Sequence, residues 1–190
     1  RYSSTSRGLG DVYKRQLQLS ETVGLLVSQL AGGHVKEMEL RLQGEFASHP
    51  SQPLVIAALK GLLSAALGDS INFVNASLEA KARGIQVLEV KDESSRDFAG
   101  GSLQITTRGD QGDRCVTGAV FADGELRITS IDEFPVNVSP SRHMLFTRHR
   151  DMPGIIGHLG SMMGEHNVNI ASMQVCLLYT SDAADEGLGV

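Results

Sequence analysis

Between positions 17 and 31 apolar residues recur at intervals of three and four: Leu19, Val23, Leu26, Val27 and Leu30. That spacing lines one face of an amphipathic helix, and Gly32-Gly33 supplies the glycine that commonly follows a helix end. The period then drops to two. From Glu37 to Ala47, Met38, Leu40, Leu42 and Phe46 face one way and polar partners the other, which predicts a half-buried strand. Ser51–Leu67 reads as a long apolar helix with Ser51 and Pro53 in its first turn, where both are favoured. Its small residues, Ala57, Ala58, Gly61, Ala65 and Ala66, predict close packing against a neighbour. A second helix over Ile71–Arg83 stops at Gly84, and Gln86–Glu93 is strand-like.

After a loop at Ser94–Gly101 the pattern gives three strands, Ser102–Arg108, Arg114–Phe121 and Glu125–Ile131. Asp123-Gly124 forms the hairpin signal between the last two. Phe134–Val138 is a short further extension. Beyond Pro140, His143–Arg148 and Asn167–Val175 read as strands flanking a helix at Ile155–Glu165, whose apolar face is Ile155, Ile156, Leu159, Met162 and Met163. The predicted fold class is α+β, with a mixed helix/sheet module over 17–139 and a β-α-β piece over 140–175. The second piece falls below the roughly 40 residues that a self-sufficient core usually needs.

The two ends follow no core-facing period. Asp11–Gln16 reads DVYKRQ and Cys176–Ser181 reads CLLYTS. By back-translation one DNA element read in opposite orientations can encode both strings, and that element resembles a transposon end used in sequencing adapters. Residues 1–16 and 176–190 are therefore expected to be non-native tails around an insert of about Leu17–Val175.

Composition narrows the function classes. At 190 residues, with 41% hydrophobic and 21% charged positions, the chain matches a globular protein with a buried core. A net charge of −5 without a basic stripe gives no footprint for nucleic acid or an anionic membrane. Apolar runs are expected to fall short of the ~20 residues that span a bilayer. Two widely separated cysteines, Cys115 and Cys176, suit a reduced, cytoplasmic setting and provide no ligand spacing.

No GxSxG, P-loop, HExxH or GxGxxG pattern occurs in a productive context, so catalysis within this chain is not expected. The acidic pairs Asp92-Glu93 and Asp132-Glu133 read as solvated strand-end charges. One constellation stands apart. His149-Arg150-Asp151-Met152-Pro153-Gly154 joins a strand to a helix, and Asn167-Val168-Asn169-Ile170 opens the next strand. Free N–H groups and the positive end of the helix suit a small carboxylate or amino acid there. Pro153 fixes the helix entry, Gly154 allows close approach, and Asp151 and Asn169 offer a carboxylate and an amide.

The stretch His143–Val175, with D-x-P-G and then N-V-N-I, resembles the first half of an ACT domain. Gly44–Phe46 (GEF), Ala58–Ala65 (ALKGLLSA) and Asn72–Ala76 (NFVNA) resemble the intervening domain of long-form D-3-phosphoglycerate dehydrogenases. The resemblance covers essentially all of Leu17–Val175, in the family's own order. It implies a regulatory fragment, with an intervening (allosteric substrate-binding) domain at 17–139 and a truncated, ferredoxin-like ACT domain at 140–175. The parent would use NAD to oxidise 3-phosphoglycerate at the start of serine biosynthesis. Its catalytic domains would lie before Leu17, so this chain carries no cofactor and is expected to be inactive alone.

By the same resemblance, serine binds at His149, Asp151 and Asn169 around the Pro153-Gly154 loop, and the ACT and intervening domains assemble a homo-oligomer. Asp151, where some members carry asparagine, keeps acceptors for an ammonium group but loses two amide donors. Arg96, Arg108 and Arg114 are candidates for a phosphate site, with ordinary surface arginines as the competing reading. Two alternative parents are the regulatory part of an iron–sulfur L-serine dehydratase and a stand-alone amino-acid-binding module. With only half an ACT domain, 141–175 is expected to be unstable or sticky along open strand edges.

Overall fold

The computed structural model describes residues 4–94, 98, 101–150 and 152–176, and the side chains of these from 10 onward. The chain separates into two compact units, Arg1–Arg142 and His143–Val190.

In the first unit, helix α1 (Ser4–Ala31) leads into β1 (Val35–Gln43) and a single 3-10 turn at Gly44–Phe46. Helices α2 (Gln52–Leu67) and α3 (Ala76–Ala82) follow. Five strands complete the unit: β2 (Gln86–Asp92), β3 (Ser102–Gly109), β4 (Arg114–Val120), β5 (Leu126–Ile131) and β6 (Phe134–Val138). They form one sheet in the order β2-β1-β3-β4-β5-β6. The β1–β2 pair is parallel, joined by the α2–α3 crossover, and every other pair is antiparallel.

Alternation along the strands decides the layers. Met38, Leu40 and Leu42 are fully buried, and their cross-strand partners are Thr107, Ile105 and Leu103. With Val116, Ile128 and Phe46 they meet Leu19, Val23 and Val27 of α1 and Leu54, Ala58 and Leu59 of α2 in one core. All three helices thus serve one face of the sheet, the α+β arrangement expected from the pattern. The α1–α2 crossing is tight because two glycines face backbone. A Cβ on Gly24 would lie against the Ala58 carbonyl, and one on Gly61 against the Glu21 carbonyl. Lys60 and Glu21 form an ion pair across the same crossing.

Several boundaries move from their predicted places. Helix α1 extends thirteen residues ahead of Leu17, because a nucleated helix propagates cheaply through polar positions. Gln16 and Ser20 are fully buried along its core side, and neither side chain has a hydrogen-bond partner. Tyr13 lies edge-on to His49 at 6.0 Å, and partial burial raises its pKa. Helix α3 starts at Ala76 instead of Ile71. Asn72 Oδ1 accepts the N–H groups of Val74 (2.8 Å) and Asn75 (3.1 Å), and Asn75 Oδ1 accepts that of Asn72 (2.8 Å). Such local side-chain bonds compete with helix and hold a turn instead.

The segment Gln52–Ser70 is, by length and composition, apolar enough to cross a membrane, contrary to the expectation that no run would be. In the fold α2 instead buries Leu54, Ala57, Ala58, Leu59, Gly61, Leu62 and Leu63, as a core helix does.

The second unit contains helix α4 (Ile155–Glu165) at the predicted bounds. The flanking strands predicted at His143–Arg148 and Asn167–Val175 do not form ladders among the described residues. A strand is stabilised by the neighbour strand it pairs with, and none lies beside these segments among the described residues. The described part of the β-α-β piece is accordingly one helix between segments outside any sheet. Leu145, Met152, Ile156, Met162, Val168, Met173 and Val175 are all exposed.

Candidate functional site

The residues around Pro153-Gly154 lie in the second unit. Gly154 has φ of +89°, immediately before α4, a conformation open to glycine because it lacks a Cβ. Gly154 has no side chain to cap the helix, and the Ile155 N–H donates to the Met152 carbonyl at 3.5 Å. His149 Nδ1 lies 2.9 Å from the Arg150 carbonyl oxygen, a contact that requires the proton on Nδ1. At the far end of α4, Asn167 adopts a left-handed φ of +56°, and the Val168 N–H donates to the Met163 carbonyl at 2.8 Å. This closing turn directs the chain into the segment carrying Asn169, which is exposed, as are His149, Pro153 and Gly154. Asp151 lies outside the described residues. Gly154 and Asn167 thus stand at the two ends of α4, and among the described residues no strand ladder sets His149 and Asn169 in register.

The arginines behave differently. Arg96 lies outside the described residues. Arg108 stands on the sheet's open face, opposite Glu37 in the β1–β3 ladder. It pairs with Glu37, with Glu39 at 3.3 Å and with Asp113 at 3.7 Å. Hydrogen bonding to Glu37 and Glu39 raises its already high pKa further. Arg114 pairs across the ladder with Thr107, on the helix side. There its Nε donates to the Leu30 carbonyl at the end of α1 (3.1 Å), and its guanidinium lies 3.6 Å from the Asp132 carboxylate. Arg108 and Arg114 thus point to opposite faces and do not converge on one anion. Their charges are met by carboxylates, the competing surface-arginine reading.

The acidic pairs are structural too. Asp132, at φ +50°, accepts the Cys115 N–H on Oδ1 (3.0 Å), and its own N–H donates to the Cys115 carbonyl (2.7 Å). Asp92 Oδ1 accepts from the N–H and hydroxyl of Ser94 at 3.0 and 2.6 Å. Among the described residues no group of three or more His, Cys, Asp or Glu side chains is placed to hold a metal. A shallow groove of about 270 Å³ bordered by Gln18, Thr22, Glu125, Leu126, Ser139 and Pro140 contains no buried charge.

Sequence reasoning missed the network of Glu37, Glu39, Arg41 and Arg108 across β1 and β3. Its signal was present in the β1 alternation, which placed Glu37, Glu39 and Arg41 on one face, but the antiparallel register was needed to bring Arg108 opposite.

Comparison with known proteins adds a family. The model of the D-3-phosphoglycerate dehydrogenase intervening domain matches residues 12–132, more than half of the chain. The chain is 58% identical over 160 residues to the D-3-phosphoglycerate dehydrogenase of Synechocystis sp.. It is 35% identical over 162 residues to that of Methanocaldococcus jannaschii and 33% over 159 to that of Archaeoglobus fulgidus. These matches cover 84–85% of this chain, which spans about 30% of the length of the curated relatives it matches.

Proposed function

The chain belongs to the family of D-3-phosphoglycerate dehydrogenase intervening domains, and from that premise we propose that it is the regulatory part of such an enzyme. The observation that carries this reading is the 58% identity to one dehydrogenase over 84% of the chain, running past the intervening domain into the second unit. The parent would oxidise 3-phosphoglycerate with NAD in the cytoplasm, its dinucleotide-binding domain preceding Leu17. The intervening domain would serve assembly of a homo-oligomer. The second unit would be the opening half of an ACT domain that senses an amino acid, serine.

In that role the first-turn N–H groups of α4 hold the effector carboxylate, with Pro153 setting the entry and Gly154 clearing space. Asp151 accepts the ammonium group, and His149 and Asn169 complete the polar contacts. Affinity in the chain as it stands is low, because two exposed segments outside any sheet must be ordered before His149 and Asn169 face a ligand together.

The test is recovery of the uninterrupted gene, followed by serine titration of the whole protein by calorimetry. A preceding dinucleotide-binding domain, a completed ACT domain and saturable serine binding that Asn169→Ala weakens at least about tenfold are expected. A cysteine-rich dehydratase domain upstream, or serine binding indifferent to Asn169, would overturn the assignment.

A further inference from the structure

The crossover between α2 and α3 contains a turn that is rigid and apolar at once. Ile71 and Ala76 are buried at its two ends. Between them Asn72 Oδ1 accepts the N–H groups of Val74 and Asn75, and Asn75 Oδ1 accepts that of Asn72. Asn75 Nδ2 also donates to the Ser70 carbonyl at 2.9 Å. Helical bonding begins inside the turn, with the Ala76 N–H on the Asn72 carbonyl (3.1 Å) and the Glu79 N–H on that of Asn75 (2.9 Å). Val74 and Leu78, four residues apart, therefore stand one turn apart on one face. That face is turned to solvent: Val74 is 93%, Leu78 68% and the neighbouring Phe73 48% exposed. The Lys60 ammonium, paired with Glu21, lies 4.8 Å from the Phe73 ring centroid and holds the ring as well.

Neither Val74 nor Leu78 belongs to the core of this unit. Single exposed apolar side chains are ordinary, but a cluster on one rigid turn marks a contact surface. Its fixed geometry leaves little conformational entropy to lose when a partner covers it. The size of the patch selects the occupant. Three such side chains present on the order of 350 Å² of apolar surface, whereas a stable complex of separate molecules buries about 800 Å² on each side. Contacts between domains of one chain begin at about 600 Å², because the covalent link supplies an effective concentration in place of affinity. The chain spans 29% of the Synechocystis enzyme and 30% of the Archaeoglobus one, so more than two thirds of such a polypeptide lies outside it.

We propose that the turn carrying Phe73, Val74 and Leu78 docks this unit onto the remainder of its own polypeptide, seated in an apolar recess there. The inference rests on the reading of the chain as part of a longer dehydrogenase. It makes Val74 the central anchor, with Asn72 and Asn75 as the residues that position it.

The test uses the whole protein encoded by the uninterrupted gene, with the photoreactive residue p-benzoylphenylalanine in place of Val74. A side chain so exposed tolerates replacement, and far-UV circular dichroism checks that the fold is kept. Illumination is expected to give a cross-link that keeps the mass of one chain on a denaturing gel and joins position 74 to a peptide outside residues 17–175. Hydrogen exchange over 73–78 is expected to be at least about tenfold slower in the whole protein than in this chain alone. Val74→Asp should abolish that difference and leave the strand amides unchanged. A cross-link of doubled mass, a cross-link within 17–175, or equal exchange in the two proteins overturns the docking surface and leaves the parent reading standing. An uninterrupted gene without a dinucleotide-binding domain overturns the parent reading, and the docking with it.

Discussion

Replacing Gln16 with leucine tests the packing of α1 against the sheet. The Gln16 side chain is fully buried, and neither its Nε2 nor its Oε1 has a partner. One turn on, the Ser20 hydroxyl is in the same condition. Each unsatisfied buried polar group costs about 1–3 kcal/mol. Leucine fills a similar volume without polar atoms, so repacking should cost less than about 1.5 kcal/mol. The net expectation is a gain of about 2 kcal/mol, or about 6 °C in Tm for a domain of this size. Thermal and urea unfolding of the full chain, followed by far-UV circular dichroism, give both quantities. Gln16→Glu should move the other way by about 3 kcal/mol, because a carboxylate is harder to bury than an amide. An unchanged or lowered Tm in Gln16→Leu would refute the reasoning and show that the amide is satisfied in solution.

Three further outcomes are expected. Gly61→Ala should destabilise the first unit by about 3 kcal/mol, because its Cβ would meet the Glu21 carbonyl and force α1 from α2; a shift below about 1 kcal/mol in chemical denaturation would mean the crossing relaxes freely. The Lys36 ammonium 2.5 Å from Asp110 holds that carboxyl below its ordinary value of 3.8. The resulting stabilisation is present above 3.8 and lost as pH falls through the depressed value, so an NMR titration should find the Asp110 midpoint below 3.8 and rising in Lys36→Met. Arg108→Ala should leave phosphate-analogue binding by the intervening domain unchanged and shift the unfolding midpoint little, because its ion pairs are solvent-screened, and a large loss of binding would restore Arg108 to a phosphate site.

The chain's apolar periodicity was enough to place α2, α4 and most strands, because burial on one face imposes a spacing of 3.6 or 2 on any sequence that meets it. Met38, Leu40 and Leu42 carried the inward face of β1, and Asp123-Gly124 marked the turn between β4 and β5. The D-x-P-G loop was legible as a potential ligand loop, since proline and glycine act through local backbone geometry. Position in the sheet was not legible. That β1 lies between β2 and β3, with Arg108 opposite Glu37 and Arg114 turned to the helix side, follows from register between strands distant in the chain. Nor does alternation make a strand: His143–Arg148 and Asn167–Val175 carry the pattern but join no ladder among the described residues, and backbone hydrogen bonds between strands exist only as pairs. Local pattern sets which faces seek burial and which loops can turn. What each face meets is settled by the assembled fold, because it depends on partners distant in the chain that no local pattern specifies.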